Sequence, residues 1–150
     1  MNPVSPSSGD RPLLPGLPAA DHGRGERILH VDDEPTVTTA LQRLLARIGY
    51  RVESFNCPRT ASERFRAAPH EFDLVLTDLM MPGLTGLDIA SLVQALRPEL
   101  PVVLLSAYGE HQDSPALRAV GIHVVIAKPA SIAVVAAALR RSLDRPAPPA

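Results

Sequence analysis

Ile28-Leu29-His30-Val31-Asp32-Asp33-Glu34-Pro35 joins a short, largely apolar run to two adjacent aspartates and then a proline. The run is continuous rather than alternating, as a strand covered on both faces requires. Pro35 suits the first position of a helix, where the missing N–H costs nothing. Val37, Leu41, Leu44, Leu45 and Ile48 then recur at helical spacing, which predicts a helix over about 35–48 with one apolar face, stopped at Gly49. One strand feeding one amphipathic helix is the unit from which the rest of the chain is built.

The unit repeats. Further strands are expected at Arg51–Phe55, Leu74–Thr77, Val102–Leu105 and Val124–Ile126, after a first strand at Arg27–Val31. Helices are expected at about Pro58–Ala68, Leu84–Leu96 and Ser131–Leu143. A weaker helix of about two turns lies between the Asp113-Ser114-Pro115 cap and Gly121. Five apolar strands, each followed by a helix, imply an α/β domain: a five-stranded parallel sheet, doubly wound, with right-handed crossovers. Ligands of such sheets sit beyond the carboxyl ends of the strands. Asp32, Asp33, Asp78, Ser106 and Lys128 all fall there.

Lys128 stands out by composition as well as place, being one lysine against fourteen arginines. A compact ammonium is kept where a planar guanidinium would not serve. Two unit charges about 4 Å apart interact by roughly 4 kcal/mol at an effective dielectric near 20, so three clustered carboxylates call for a cation. Hard oxygens suit Mg²⁺, which commonly pairs one or two carboxylates with a phosphate. Lys128 balances charge from the opposite side, and the Ser106 hydroxyl is placed to bond a phosphoryl oxygen.

The bulk numbers narrow the classes. A chain of 150 residues is one domain's worth, and 45% apolar with 21% charged is ordinary for a globular protein. A formal charge of −1 gives no case for nucleic acid or an anionic membrane. The Arg140-Arg141 pair reads as the solvated end of the last helix. The single Cys57 excludes an internal disulfide and reads as a small buried or capping residue of a reducing compartment. No signal peptide or bilayer-spanning run is present, so the expected location is the cytoplasm. Residues 1–24 hold five prolines and three glycines without period, and 146–150 are of the same kind. Both read as disordered tails around a domain of residues 25–145.

The stretches Ile28–Pro35, Leu74-Val-Leu-Thr-Asp-Leu-Met-Met-Pro-Gly83 with Gly86, Val103-Leu-Leu-Ser-Ala107 and Lys128-Pro129 occur in order across residues 27–143. Together they resemble a receiver domain of the two-component response regulator family, with its flavodoxin-like (βα)5 fold. The resemblance implies that Asp78 is the phosphoacceptor, taking a phosphoryl group from a histidine kinase or a histidine phosphotransfer protein. It implies a Mg²⁺ cofactor held by Asp33 directly, by Asp32 largely through water, by Asp78 and by the backbone carbonyl of Met80. Lys128 would pair with Asp78 and then with the phosphoryl group, which Ser106 would also bond. Such a domain is no enzyme beyond its own phosphorylation and dephosphorylation. Because only 22 residues follow Lys128, it is expected to stand alone and to act on a downstream protein target.

Two positions depart from the pattern. Val125 stands where the family usually carries an aromatic switch residue, so the output switch is expected to be atypical, using Tyr108 or a backbone movement without a rotamer switch. Met80 stands where fast-hydrolysing members often carry a polar side chain, which predicts slow loss of the phosphoryl group. His30, Met80 and Met81 read as packing residues. Two other readings compete: a pseudo-receiver that docks without phosphate, and an aspartate-nucleophile phosphohydrolase of the haloacid dehalogenase type. The second would want its nucleophile on the first strand with another Asp two residues on, where this chain has Asp78 after the third strand and Met80.

Overall fold

The computed structural model describes residues 16–107 and 114–145. Strands β1 (Arg27–Val31), β2 (Arg51–Phe55), β3 (Leu74–Asp78), β4 (Val102–Ser106) and β5 (Ile122–Ala127) form one parallel sheet in the order β2-β1-β3-β4-β5. Helices α1 (Pro35–Arg47), α2 (Pro58–Ala67), α3 (Gly86–Leu96), α4 (Pro115–Ala119) and α5 (Ile132–Leu143) connect and follow them. The chain steps outward from β1 to β2, then crosses back to β3 and continues the other way. Connections after β1 and β3 therefore leave in opposite directions and open a crevice at the carboxyl ends of these neighbours. The doubly wound α/β architecture read from the repeating unit is the one observed.

Successive strand residues point to opposite faces, and each face has its own core. Leu29, Val31, Val75, Val102 and Leu104 pack with Phe65 of α2, with Ile89 and Val93 of α3, and with Leu117 of α4. Ile28, Leu74, Leu76, Val103 and Leu105 pack with Leu45 of α1 and with Val135 and Leu139 of α5. β3 and β4 are buried at every residue, which explains their unbroken apolar runs.

Apart from strand ends, where β5 begins at Ile122 rather than Val124, three expectations change. Helix α3 begins at Gly86 rather than Leu84, because Thr85 forms a reciprocal capping box with Asp88. A Cβ on Gly86 would stand 2.5 Å from the Asp78 carbonyl oxygen, so only glycine allows α3 to start this close to β3. The domain also begins before residue 25. Leu17 is buried in the α1/α5 core, Ala19–Asp21 form a single 3₁₀ turn, and the Gly23 N–H donates to Ile48 O at 2.7 Å. One apolar anchor followed by glycines has no period for sequence reading to detect. Residues 1–15 and 146–150 of the expected tails, and the Asp113 cap, lie outside the described residues.

The third change concerns Arg140, which is buried rather than solvated, unlike its exposed neighbour Arg141. Its guanidinium reaches Glu26 Oε2 at 2.7 Å and Asp144 Oδ1 at 2.8 Å, and donates to the His22 carbonyl at 3.3 Å. Burial disfavours the Glu26 carboxylate. Hydrogen bonds from the Arg24 and Glu26 backbone, together with Arg140, outweigh that and lower its pKa. This network ties the N-terminal segment to α5.

Candidate functional site

Four of the five strands deliver a polar side chain to the crevice. Asp32 follows β1 and is fully buried, Asp33 is half-buried, Asp78 ends β3, and Ser106 ends β4 nearly fully buried. Lys128 follows β5, where its N–H donates to the Ser106 carbonyl at 2.8 Å, ahead of a cis Lys128–Pro129 bond. All five residues singled out in the sequence meet at one place.

Carboxylate oxygens from Asp32, Asp33 and Asp78 lie within 4.8 Å of one another. Lys128 Nζ sits between two of them, 3.1 Å from Asp32 Oδ2 and 3.2 Å from Asp78 Oδ1. The ammonium is thus shared, where sequence reading had paired it with Asp78 alone. Burial raises the Asp78 pKa above the usual carboxylate range; Lys128 opposes the rise and Asp32 adds to it. Burial works against the Lys128 charge too, but hydrogen bonds and charge from Asp32 and Asp78 lift its pKa above the ordinary lysine value. Three carboxylates against one ammonium leave the cluster short of positive charge. The donor set therefore fits a hard divalent cation, with Asp33, which has no hydrogen bond or ion pair within the described part of the protein, free to ligate it.

Residues around the cluster resolve other expectations. His30 is fully buried with Nδ1 3.2 Å from Ser54 Oγ, and burial pushes its pKa down to about 4, so it is a neutral packing histidine. Met81 packs in the α2/α3 core, whereas Met80 is 56% exposed at the mouth of the crevice rather than packed. Cys57 is exposed rather than buried, and it occupies the N-cap position of α2 without a side-chain cap hydrogen bond. Val125 pairs with Leu104 in the sheet and packs against the α2/α3 core. Tyr108 lies outside the described residues. Sequence reading overlooked Asn56 and Thr38, whose hydrogen bonds reach the backbone of the acidic loop. The available hint was an asparagine directly after the strand beside β1.

Comparison with known proteins agrees with the geometry. The sequence profile of the response regulator receiver domain matches residues 28–140, and the chain belongs to that family. It is 42% identical over 88 residues to the two-component response regulator ORR24 of Oryza sativa subsp. indica, covering 59% of this chain and 14% of that protein. It is equally 42% identical over 86 residues to ARR10 of Arabidopsis thaliana, covering 57% and 15%. The match thus spans about one seventh of the length of these relatives. Among solved structures, the non-phosphorylated HemR receiver domain from Leptospira biflexa superposes with a TM-score of 0.73 at 29% identity, covering 83% of this chain and 99% of that one. Chemotaxis protein CheY4 of Vibrio cholerae gives a TM-score of 0.73 at 25% identity, covering 79% and 99%. The fold is the flavodoxin-like (βα)5 arrangement, and the family is a signalling module of two-component systems. No helix among the described residues is long and apolar enough to cross a membrane.

Proposed function

We propose that Asp78 accepts a phosphoryl group from a phosphohistidine on a sensor kinase or phosphotransfer protein, in a Mg²⁺-dependent relay. The observation that carries this reading is the shared ammonium: Lys128 Nζ lies 3.1 and 3.2 Å from Asp32 and Asp78 at the carboxyl ends of the strands. In the transfer an Asp78 carboxylate oxygen bonds to phosphorus as the P–N bond to the imidazole breaks. The electron pair stays on the ring nitrogen, which then takes a proton. Transition states of this kind are loose, so the protein contributes positioning and charge rather than covalent chemistry.

Lys128 neutralises Asp78 before transfer and then contacts a phosphoryl oxygen, while the Ser106 hydroxyl donates to another. Asp33, Asp78 and the Met80 carbonyl would hold Mg²⁺, with Asp32 bound largely through water. When bound, the ion supplies the positive charge that three carboxylates and an incoming phosphate lack. The phosphorylated domain acts on a downstream protein, through an output surface altered by Val125 in place of an aromatic residue. The exposed thioether of Met80 cannot orient an attacking water, which favours a long-lived phosphoryl group.

Incubation with acetyl phosphate and Mg²⁺, followed by intact mass, separates the readings. A stable phosphate-mass adduct lost in Asp78→Asn is the expected result. Absence of any adduct would favour a phosphorylation-independent docking module, and steady phosphate release a phosphohydrolase.

A further inference from the structure

Asp32 is held at four points. Its N–H donates to the Phe55 carbonyl at 3.1 Å, Oδ1 accepts from the Glu34 N–H at 3.0 Å, and Oδ2 faces Lys128 at 3.1 Å. The fourth contact is Asn56 Nδ2, which donates to the Asp32 carbonyl at 3.0 Å. The same amide nitrogen donates to Thr38 Oγ1 at 2.8 Å, and the Thr38 hydroxyl donates onward to the Pro35 carbonyl at 3.0 Å. Thr38 is only 4% exposed whereas Asn56 lies at the surface, so this chain from the end of β2 to the first turn of α1 is buried at its Thr38 end.

A peptide unit is planar, so the Asp32 carbonyl and the Asp33 N–H move as one rigid body. Fixing that carbonyl fixes the plane from which Asp33 departs. The Asp33 carboxylate has no partner among the described residues to aim it, so its reach depends on where its backbone stands. We propose that Asn56, backed by Thr38, is the positioning residue of the acidic loop and holds the Asp33 carboxylate towards the cation. The chemistry explains the amide: a carboxylate at position 56 would oppose an acceptor with an acceptor and add a fourth negative charge to the cluster. The proposal rests on the Mg²⁺ reading above and assigns the β2–α2 turn a part in that site.

Calorimetric titration of Mg²⁺ into the whole chain tests it, beside urea unfolding of each variant in EDTA. Partners behind metal ligands are typically worth 10–100-fold in affinity, so Asn56→Ala should weaken Mg²⁺ binding by about tenfold or more. Thr38→Val should weaken it several-fold and Thr38→Ser should retain it. The Asn56→Ala/Thr38→Val double variant should be no weaker than Asn56→Ala alone, since both act through one contact. If Asn56→Ala binds Mg²⁺ like wild type while Asp33→Asn does not bind, the positioning role is overturned and the metal reading stands. Fully additive losses would likewise overturn the relay through Thr38. No Mg²⁺ binding by the wild type would overturn both.

Discussion

Among the described clusters in which one cation lies between two carboxylates, those at Arg140 and Lys128 behave in opposite ways. At Arg140, a bidentate guanidinium meets Glu26 and Asp144, and both carboxylates are held below their usual pKa. At Lys128, a compact ammonium meets Asp32 and Asp78 with Asp33 close by, and burial leaves Asp78 above its usual pKa. The first cluster is satisfied and ties the N-terminal segment to α5. The second is short of positive charge, and the proposed cation binding and phosphoryl transfer rest on that deficit. Similar ingredients thus differ in how completely their charge is matched.

The strongest way to separate the two is Asp78→Asn, which should abolish phosphorylation by acetyl phosphate without lowering the urea midpoint measured in EDTA. Breaking the other cluster should do the reverse. Arg140→Ala strands the largely buried Glu26 carboxylate and should cost roughly 2–4 kcal/mol in urea unfolding, reduced from the fully buried case because Asp144 is exposed. Its phosphorylation, assayed where it is folded, should be unchanged. Exchanging the cations sharpens the contrast. Lys128→Arg should slow phosphorylation by about tenfold or more with little change in stability, whereas Arg140→Lys should lose bidentate bonding worth about 1 kcal/mol and leave phosphorylation intact.

The acid limb of stability offers a further contrast. Because the folded Glu26 pKa is depressed, its contribution is present above the ordinary value of 4.5 and fades as pH falls through the lower folded value. Urea midpoints of Glu26→Gln should therefore fall less than those of wild type in that window. An identical pH profile would show that the Arg140 network contributes nothing through Glu26. The smallest effect expected is on lifetime. Met80→Asn should shorten the phosphoryl half-life a few-fold, measured by decay of the adduct, and an unchanged half-life would remove Met80 from the account.

What could be read from the sequence followed from how locally each feature is encoded. The β1 run, its two aspartates and Pro35 are contiguous, so strand, candidate ligands and helix start are legible together. Asp78, Ser106 and Lys128 sit at or just beyond strand ends, so a parallel sheet brings them together whatever the packing details. Arg140 could not be read this way. It lies beside Leu139 on α5, and its partners include the His22 carbonyl, 118 residues away. Leu17 was equally hidden, and Asn56 was hinted at only by its place after β2, since one anchor and one amide have no period and their partners are fixed only when the chain folds. Val125 and Met80 were legible as departures, but only because the family pattern supplied an expectation.

If the charge-deficient cluster directs phosphoryl transfer as proposed, Asp78 and no other carboxylate is the acceptor. The direct measurement is reductive trapping of the phosphorylated chain with borohydride, followed by peptide mapping, which converts an aspartyl phosphate to homoserine at its own position. Homoserine is expected at position 78 alone, formed in Mg²⁺ and absent in EDTA. Homoserine at position 32 or 33, or its formation without a divalent cation, would contradict it.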